Sequence, residues 1–271
     1  MKATMINRDR EEAGILGHLN LIQFYRESPS WSLAGIAQEE AGVLLYATDS
    51  TFPVMMNGAF RTDDSADPDL LIGRANNFFS KRERGFSIWI REGIDEDLAQ
   101  ASERFGFVEL LRQPEMVCNQ RLPVPSLPDG VEIRRVVTAD DAAHFVEVNA
   151  SAYTVYGMHP EVFFQAFNSV RRMILPHVVA VVAYVEGKPA AAALTLASHG
   201  IAGVYWVGTI EAYRGRGLAK AVVCEVTNAG FDLGARINTL QASVMGEPIY
   251  KKLGYETIFY HRIYVRSHCK V

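Results

Sequence analysis

Between Val204 and Lys220 the chain reads VYWVGTIEAYRGRGLAK, where two arginines and two glycines alternate at Arg214-Gly215-Arg216-Gly217. An apolar run precedes this stretch and an apolar-periodic run follows it, so the pattern predicts a turn from a strand into a helix. The first amides of a helix have no partner inside it, and the macrodipole adds partial positive charge there. Phosphate oxygens suit such a place. Glycine leaves the amides approachable, and arginine adds charge at the rim. The chemistry on offer is binding of a phosphate or pyrophosphate by main-chain N–H groups. The competing reading is an ordinary tight turn with two surface arginines.

Two familiar phosphate loops do not fit. The P-loop of nucleotide hydrolases ends in Gly-Lys-Ser/Thr, and here Leu218 follows Gly217. A dinucleotide fingerprint needs a third glycine where Lys220 stands, and it opens a parallel sheet.

The elements around the loop point elsewhere. VEIRRV (Val131 to Val136) alternates as a short strand, and Thr138 with Asp140 and Asp141 marks a helix start. A second helix is expected from Pro160 to Met173. Three apolar runs follow, at Val178 to Val185, Ala190 to Ala197 and Ala202 to Thr209. The short turn signals Glu-Gly-Lys-Pro and Ser-His-Gly separate them, which predicts an antiparallel meander. Behind the loop, Leu218, Val222, Val226 and Ala229 share one helical face. A strand at Arg236 to Ser243, a helix around Glu247 to Lys252 and a strand from Glu256 to Val265 complete the series.

Val207 to Ala219 resembles the acetyl-CoA-binding motif R/Q-x-x-G-x-G/A of the GNAT superfamily of N-acyltransferases, with Arg214, Gly217 and Ala219 at its defined positions. The element order from Val131 to Val265 is similar to the GNAT fold. Leu240 to Tyr255 also resembles the GNAT segment that ends in a Tyr-x-x-x-Gly-aromatic signature. The resemblance implies that Val207, Gly208 and Thr209 splay from the neighbouring strand to pair with a pantetheine arm. The amides of Arg214, Gly215, Arg216, Gly217, Leu218 and Ala219 would hold the pyrophosphate. Ser243 stands where many members carry a cofactor-contacting Asn.

Amine attack on a thioester needs a neutral amine, donors for the developing oxyanion and a proton for the departing thiolate. By resemblance, the backbone N–H near Val207 serves the oxyanion and the phenol of Tyr250 serves the thiolate. The meander strands offer no acid, so Glu147, His144 and His159 are the candidate bases, beside water. Tyr153, Tyr156 and His159 lie where the family binds its acceptor.

At 271 residues, with 27 Lys+Arg against 31 Asp+Glu and a net charge of -4, no global field recruits nucleic acid or an anionic membrane. Charged residues break up the first 30 positions, and the apolar runs are too short to cross a bilayer, so a soluble cytoplasmic protein is expected. Cys118, Cys224 and Cys269 are widely spaced, and His18, His177, His199, His261 and His268 show no ligand spacing. Reduced thiols and no metal follow.

Arg121 to Gly130 (RLPVPSLPDG) holds three of the 11 prolines and predicts a boundary, dividing the chain into 1–122 and 130–271. The first part echoes the second: Phe105-Gly106-Phe107 matches Leu253-Gly254-Tyr255 at an offset of 148 positions, and Trp89 and Leu70 fall opposite Ile237 and Leu218. Opposite Arg214 to Gly217 stand Ala66, Asp67, Pro68 and Asp69, after Asp63 and Asp64; acids there repel an anion, and the segment is read as a solvated loop. The expectation is an α/β (α+β) protein of two tandem GNAT-like domains, each a mixed, mostly antiparallel sheet flanked by helices, with the first copy degenerate. The second would move an acetyl group from acetyl-CoA to a primary amine of a small molecule or peptide. A non-catalytic acyl-CoA-binding module and a longer acyl donor are the alternatives.

Overall fold

The computed structural model describes residues 7–266; His268 and Cys269 lie outside the described residues. In chain order the elements are α1 (Asn7–Glu27), β1 (Ile36–Glu40), β2 (Val43–Ala47), β3 (Asn57–Arg61), α2 (Pro68–Ser80), β4 (Ser87–Arg91), α3 (Glu96–Arg104), β5 (Phe107–Cys118) and β6 (Val131–Arg135). There follow α4 (Ala139–Ala152), α5 (Pro160–Ala166), β7 (Val178–Val185), β8 (Lys188–Ser198), β9 (Ile201–Thr209), α6 (Leu218–Asp232), β10 (Asn238–Gln241), α7 (Glu247–Leu253) and β11 (Glu256–Arg266).

Two compact units are assembled from interleaved stretches rather than from one cut at the proline-rich segment. Of the described residues, the first takes Asn7–Gln23, Gln113–Asn149 and Ile174–Phe259. The second takes Phe24–Arg112, Ala150–Met173 and Tyr260–Arg266.

In the first unit the strand order is β5, β10, β9, β8, β7, β6, antiparallel throughout except for β9 beside β10. The expected meander is thus present as β7, β8 and β9. Strand alternation sends Val181, Val204 and Leu240 to one face, where Leu218, Val222 and Val226 of α6 close the core; Val222 and Val226 are fully buried. The intervening residues meet α1, whose buried face runs Ala13, Gly17 and Asn20 at helical spacing. Asn20 donates from Nδ2 to the Leu196 carbonyl and the Ser198 hydroxyl, and accepts from Tyr205 Oη at 2.6 Å. Burial, and secondarily the nearby Glu115 charge, push the Tyr205 phenol well above its ordinary pKa.

In the second unit the order is β1, β2, β3, β4, β11, with α2 and α3 over one face. The other face carries an aromatic stack in which Phe60 lies over Trp89 at 5.2 Å, and Trp89 Nε1 donates to Tyr46 Oη at 3.0 Å. The 148-position echo holds in the backbone. Val43 pairs with Arg61 across β2 and β3, and Ala191 pairs with Thr209 across β8 and β9. The last strand of each half, however, pairs in the other half's sheet. Met116 and Cys118 of β5 lie opposite Leu240 and Asn238 of β10, while Ile263 of β11 lies opposite Trp89 of β4.

One expectation needs correction. The helix expected from Pro160 to Met173 stops at Ala166, and a separate 3-10 turn follows at Val170–Met173. Tertiary hydrogen bonds take the intervening groups: Ser169 N donates to the Trp31 carbonyl at 2.8 Å, and Asn168 bridges the Leu33 amide and Asp49. The acids from Asp63 to Asp69 are solvent-exposed, as expected, and α2 begins among them at Pro68. Asp67 caps α2 by accepting from the Asp69 and Leu70 amides, Asp64 pairs with Arg91, and Asp69 pairs with Arg104. The expected start of α4 is present as a reciprocal box: Asp141 N donates to Thr138 Oγ1, and Thr138 N donates to Asp141 Oδ2.

Candidate active site

The site is built around the end of β9. Across β8 and β9, Ala191 faces Thr209 and Ala192 faces Gly208, but the next recorded pair is Leu194 with Tyr205. Trp206 and Val207 therefore share one partner position, a β-bulge, and Trp206 adopts φ 51. A left-handed conformation at a bulky residue is strained, and such strain persists where the surrounding structure enforces it. On its other side β9 pairs in parallel with β10 at Ala202 and Gly203 only, so that ladder ends before Val204. Val207, Gly208 and Thr209 thus lie beyond the end of the β9–β10 ladder, with Gly208 and Thr209 still paired to β8. The Thr209 hydroxyl is buried there without a hydrogen-bond partner among the described residues, and the Thr209 carbonyl accepts from Arg214 Nε at 3.3 Å.

The second unit shows the same region closed. The β2–β3 register runs without interruption from Val43–Arg61 to Ala47–Asn57, and the parallel ladder of β3 with β4 extends to Phe60 and Trp89. Phe60 stands at the position of Gly208, and Arg61, at that of Thr209, is held by Asp97 at 2.8 Å.

After a short 3-10 turn at Glu211–Tyr213 comes the loop. Gly215 and Gly217 have φ 77 and 78, values that only glycine adopts without strain, and a Cβ built on either would meet nothing within 4 Å. The turn therefore opens outward. No backbone carbonyl among the described residues takes the amides of Gly215, Arg216, Gly217, Leu218, Ala219 or Lys220; the first recorded bond of the helix is Ala221 N to the Gly217 carbonyl. Gly217 is the N-cap of α6 and contributes no side-chain bond. Six amides without a backbone acceptor thus lie at the start of a 15-residue helix, where an anion is favoured. Arg216, over the Tyr213 ring at 5.4 Å, and Lys220 are exposed beside them. These residues fit a pyrophosphate-bearing ligand.

Tyr250 lies on α7, nearly buried, with its ring 6.0 Å from Tyr255 in a T-shaped arrangement. The Tyr255 hydroxyl is fixed to Thr227 Oγ1 at 2.7 Å. Ser243 Oγ accepts from Gly246 N at 3.1 Å, so this side chain shapes the turn into α7.

The expected acceptor residues fall in the other compact unit. Tyr153 and Tyr156 lie 5.7 Å apart, and Tyr153 also contacts Phe163. His159 is the N-cap of α5, its Nδ1 accepting from Glu161 N at 3.4 Å. Among the candidate bases in the first unit, Glu147 is exposed and His144 Nδ1 is 3.0 Å from Tyr184 Oη. Burial raises the Tyr184 phenol, and Asp141 adds to the effect.

An acid absent from the sequence expectation stands in this sheet. Glu115 of β5, fully buried, accepts from Thr239 Oγ1 and from Gln241 Nε2, the latter at 2.6 Å. No local pattern announced it, because it arrives on a strand from the first half. Among the described residues no three His, Cys, Asp or Glu side chains group as metal ligands, and no helix is long and apolar enough to cross a membrane. Among the described residues, Cys118 and Cys224 are buried and form no disulfide.

Residues 125–252 match the family model described as acetyltransferase (GNAT) domain. Among solved structures, a GCN5-related N-acetyltransferase from Kribbella flavida is 21% identical, with a TM-score of 0.70 over 94% of this chain and 95% of that one. A GCN5-related N-acetyltransferase from Sphaerobacter thermophilus is 17% identical, with a TM-score of 0.60 over 84% and 77%. A tandem GNAT protein from the clavulanic acid biosynthesis pathway is 12% identical, with a TM-score of 0.59 over 92% and 86%. No curated protein matches the sequence.

Proposed function

Since residues 125–252 match the family model of a GNAT acetyltransferase domain, we propose that this protein moves an acetyl group from acetyl-CoA to a primary amine of a small molecule or peptide. The observation that carries this reading is the open turn at Gly215 and Gly217, whose amides have no backbone acceptor, following a strand whose end runs on beyond its ladder with β10. A pyrophosphate seated on the amides of Gly215 to Ala219 places the rest of a thioester carrier along the end of β9 beyond that ladder, past the buried Thr209 hydroxyl.

In the reaction a C–N bond forms as the C–S bond breaks. The bulged backbone at Val207 is the donor for the oxyanion, Tyr250 gives its phenolic proton to the departing sulfur, and the proton shed by the amine passes to water. The second unit holds no such carrier: its strands stay paired to Phe60, and Asp67 already occupies the first amides of α2.

Calorimetry with acetyl-CoA tests the cradle, and thiol release across an amine panel tests transfer. Affinity that the double variant Arg214→Ala/Arg216→Ala weakens, with amine-dependent thiol, is the expected result. Equal affinity in the variant removes the cradle assignment. Affinity without amine-dependent thiol makes the protein an acyl-CoA-binding module instead.

A further inference from the structure

Gly246 is a glycine in a conformation that does not need one. Its φ is -81 and its ψ is -35, ordinary right-handed values open to any residue. What a side chain would meet is Tyr250. A Cβ at Gly246 would lie 2.7 Å from Tyr250 Cε2 and 3.4 Å from Cζ, the carbon that bears the hydroxyl, and 3.3 Å from Ser243 Oγ. The phenol therefore lies directly over the Gly246 Cα. Three further contacts define its surroundings: Ser243 Oγ accepts from Gly246 N, Tyr250 N donates to the Gly246 carbonyl at 3.1 Å, and Tyr255, pinned to Thr227, faces the ring edge.

We infer that Ser243 and Gly246 are positioning residues that seat the Tyr250 phenol where the departing thiolate is protonated. This rests on the acetyl-transfer reading above. It gives Ser243 a different task from the one its sequence position implied: it holds the turn that carries the acid, rather than reaching for the carrier. The Gly246 position is then restricted by a neighbouring ring and not by backbone conformation. Alanine there must push the ring aside, because a 2.7 Å approach to a ring carbon of a nearly buried side chain cannot be absorbed without movement.

The test combines a spectroscopic signature with kinetics. In protein labelled with ¹³C at the tyrosine ring, the signal missing from Tyr250→Phe identifies Tyr250. Gly246→Ala is expected to shift that signal and to lower kcat on the order of tenfold to a hundredfold, with KM for acetyl-CoA within about twofold. In the Tyr250→Phe background, Gly246→Ala is expected to cost less than about twofold more, since both changes act on one group. An unshifted signal, or losses that simply multiply in the double variant, overturns the inference. If Gly246→Ala does not fold, Ser243→Ala against Ser243→Thr decides it: the alanine variant shifts the signal and lowers kcat, and the threonine, which keeps the acceptor oxygen, restores both. A wild-type protein that binds acetyl-CoA but releases no thiol with any amine sinks the transfer reading alone, and the tyrosine signal still decides the seat.

Discussion

Gln241 donates from Nε2 to Glu115 Oε2 at 2.6 Å, so a carboxylate encoded in the first half is satisfied by a strand of the second. Glu115 is fully buried, and Thr239 Oγ1 donates to its other oxygen. Its replacement leaves the buried Thr239 hydroxyl and the half-buried Gln241 amide without this acceptor. Glu115→Ala is expected to lower unfolding free energy by about 3 kcal/mol, and Glu115→Gln, which keeps one acceptor oxygen, by less. Urea titration of both variants measures this; equal stability would show that the carboxylate does not hold the strands together.

The loop glycines share their left-handed backbone with Gly234, at the end of α6. Gly217 has φ 78 and Gly234 φ 90, and a Cβ at either meets nothing within 4 Å. Gly217→Ala and Gly234→Ala are therefore expected to lose about 1 kcal/mol of stability each, from backbone strain alone. Only Gly217→Ala puts a methyl group into the amide cradle, and acetyl-CoA affinity should fall on the order of tenfold there and stay unchanged in Gly234→Ala. Thermal unfolding and calorimetry on the pair separate strain from binding.

One acetyl-CoA per chain is expected, not two. The second unit has a cap in place of free amides, at Asp67, and an unbroken ladder in place of a bulge. A calorimetric stoichiometry near two would show that the closed strands open for a ligand.

Tyr250→Phe keeps the ring over Gly246 and removes its proton. Turnover should fall on the order of a hundredfold with acetyl-CoA affinity retained. Turnover equal to wild type would assign the thiolate's proton to another source.

The cap at α4 carries a pH dependence of definite sign. Hydrogen bonding from the Thr138 hydroxyl holds the Asp141 carboxyl below the usual carboxylate range, against a smaller opposing effect of burial, and the Val137 and Thr138 amides add to it. A carboxyl whose folded pKa is depressed contributes stability above its unfolded pKa, and that contribution is lost as pH falls through the folded value. Asp141→Ala should therefore be less stable than wild type at pH 7, by about 0.5 kcal/mol for so exposed a group. The gap should close as the pH is taken below the carboxylate range. A constant gap across that range would mean that the carboxylate's charge plays no part.

Much of this architecture was legible in the sequence because its signals are local. The apolar run from Val178 to Val185 and the turn signals after it pointed to the meander, and Thr138 with Asp141 marked the start of α4. The Arg-Gly alternation marked a turn, and the structure shows that turn open. What escaped the sequence is long-range. Glu115 and Asn20 reach their partners across more than 100 positions, and no periodicity reports that. The break after Ala166 depends on Trp31 and Asp49, which offer Ser169 and Asn168 better partners than a continuing helix. The acids from Asp63 to Asp69 read correctly as solvated, but their arginine partners, Arg91 and Arg104, stand well downstream and left no local sign. Ser243 was assigned by analogy of position, and only coordinates show its bond to Gly246 N.

The reciprocal placement of β5 and β11 bears on how such a chain can change over generations. Once each half lends its closing strand to the other, a deletion that removes either half leaves the survivor with an unsealed sheet margin, β10 without Met116 and Cys118, or β4 without Ile263. Each half is thereby kept as a scaffold for the other, a molecular ratchet: its sequence can drift away from the shared margins, but its strands cannot be discarded.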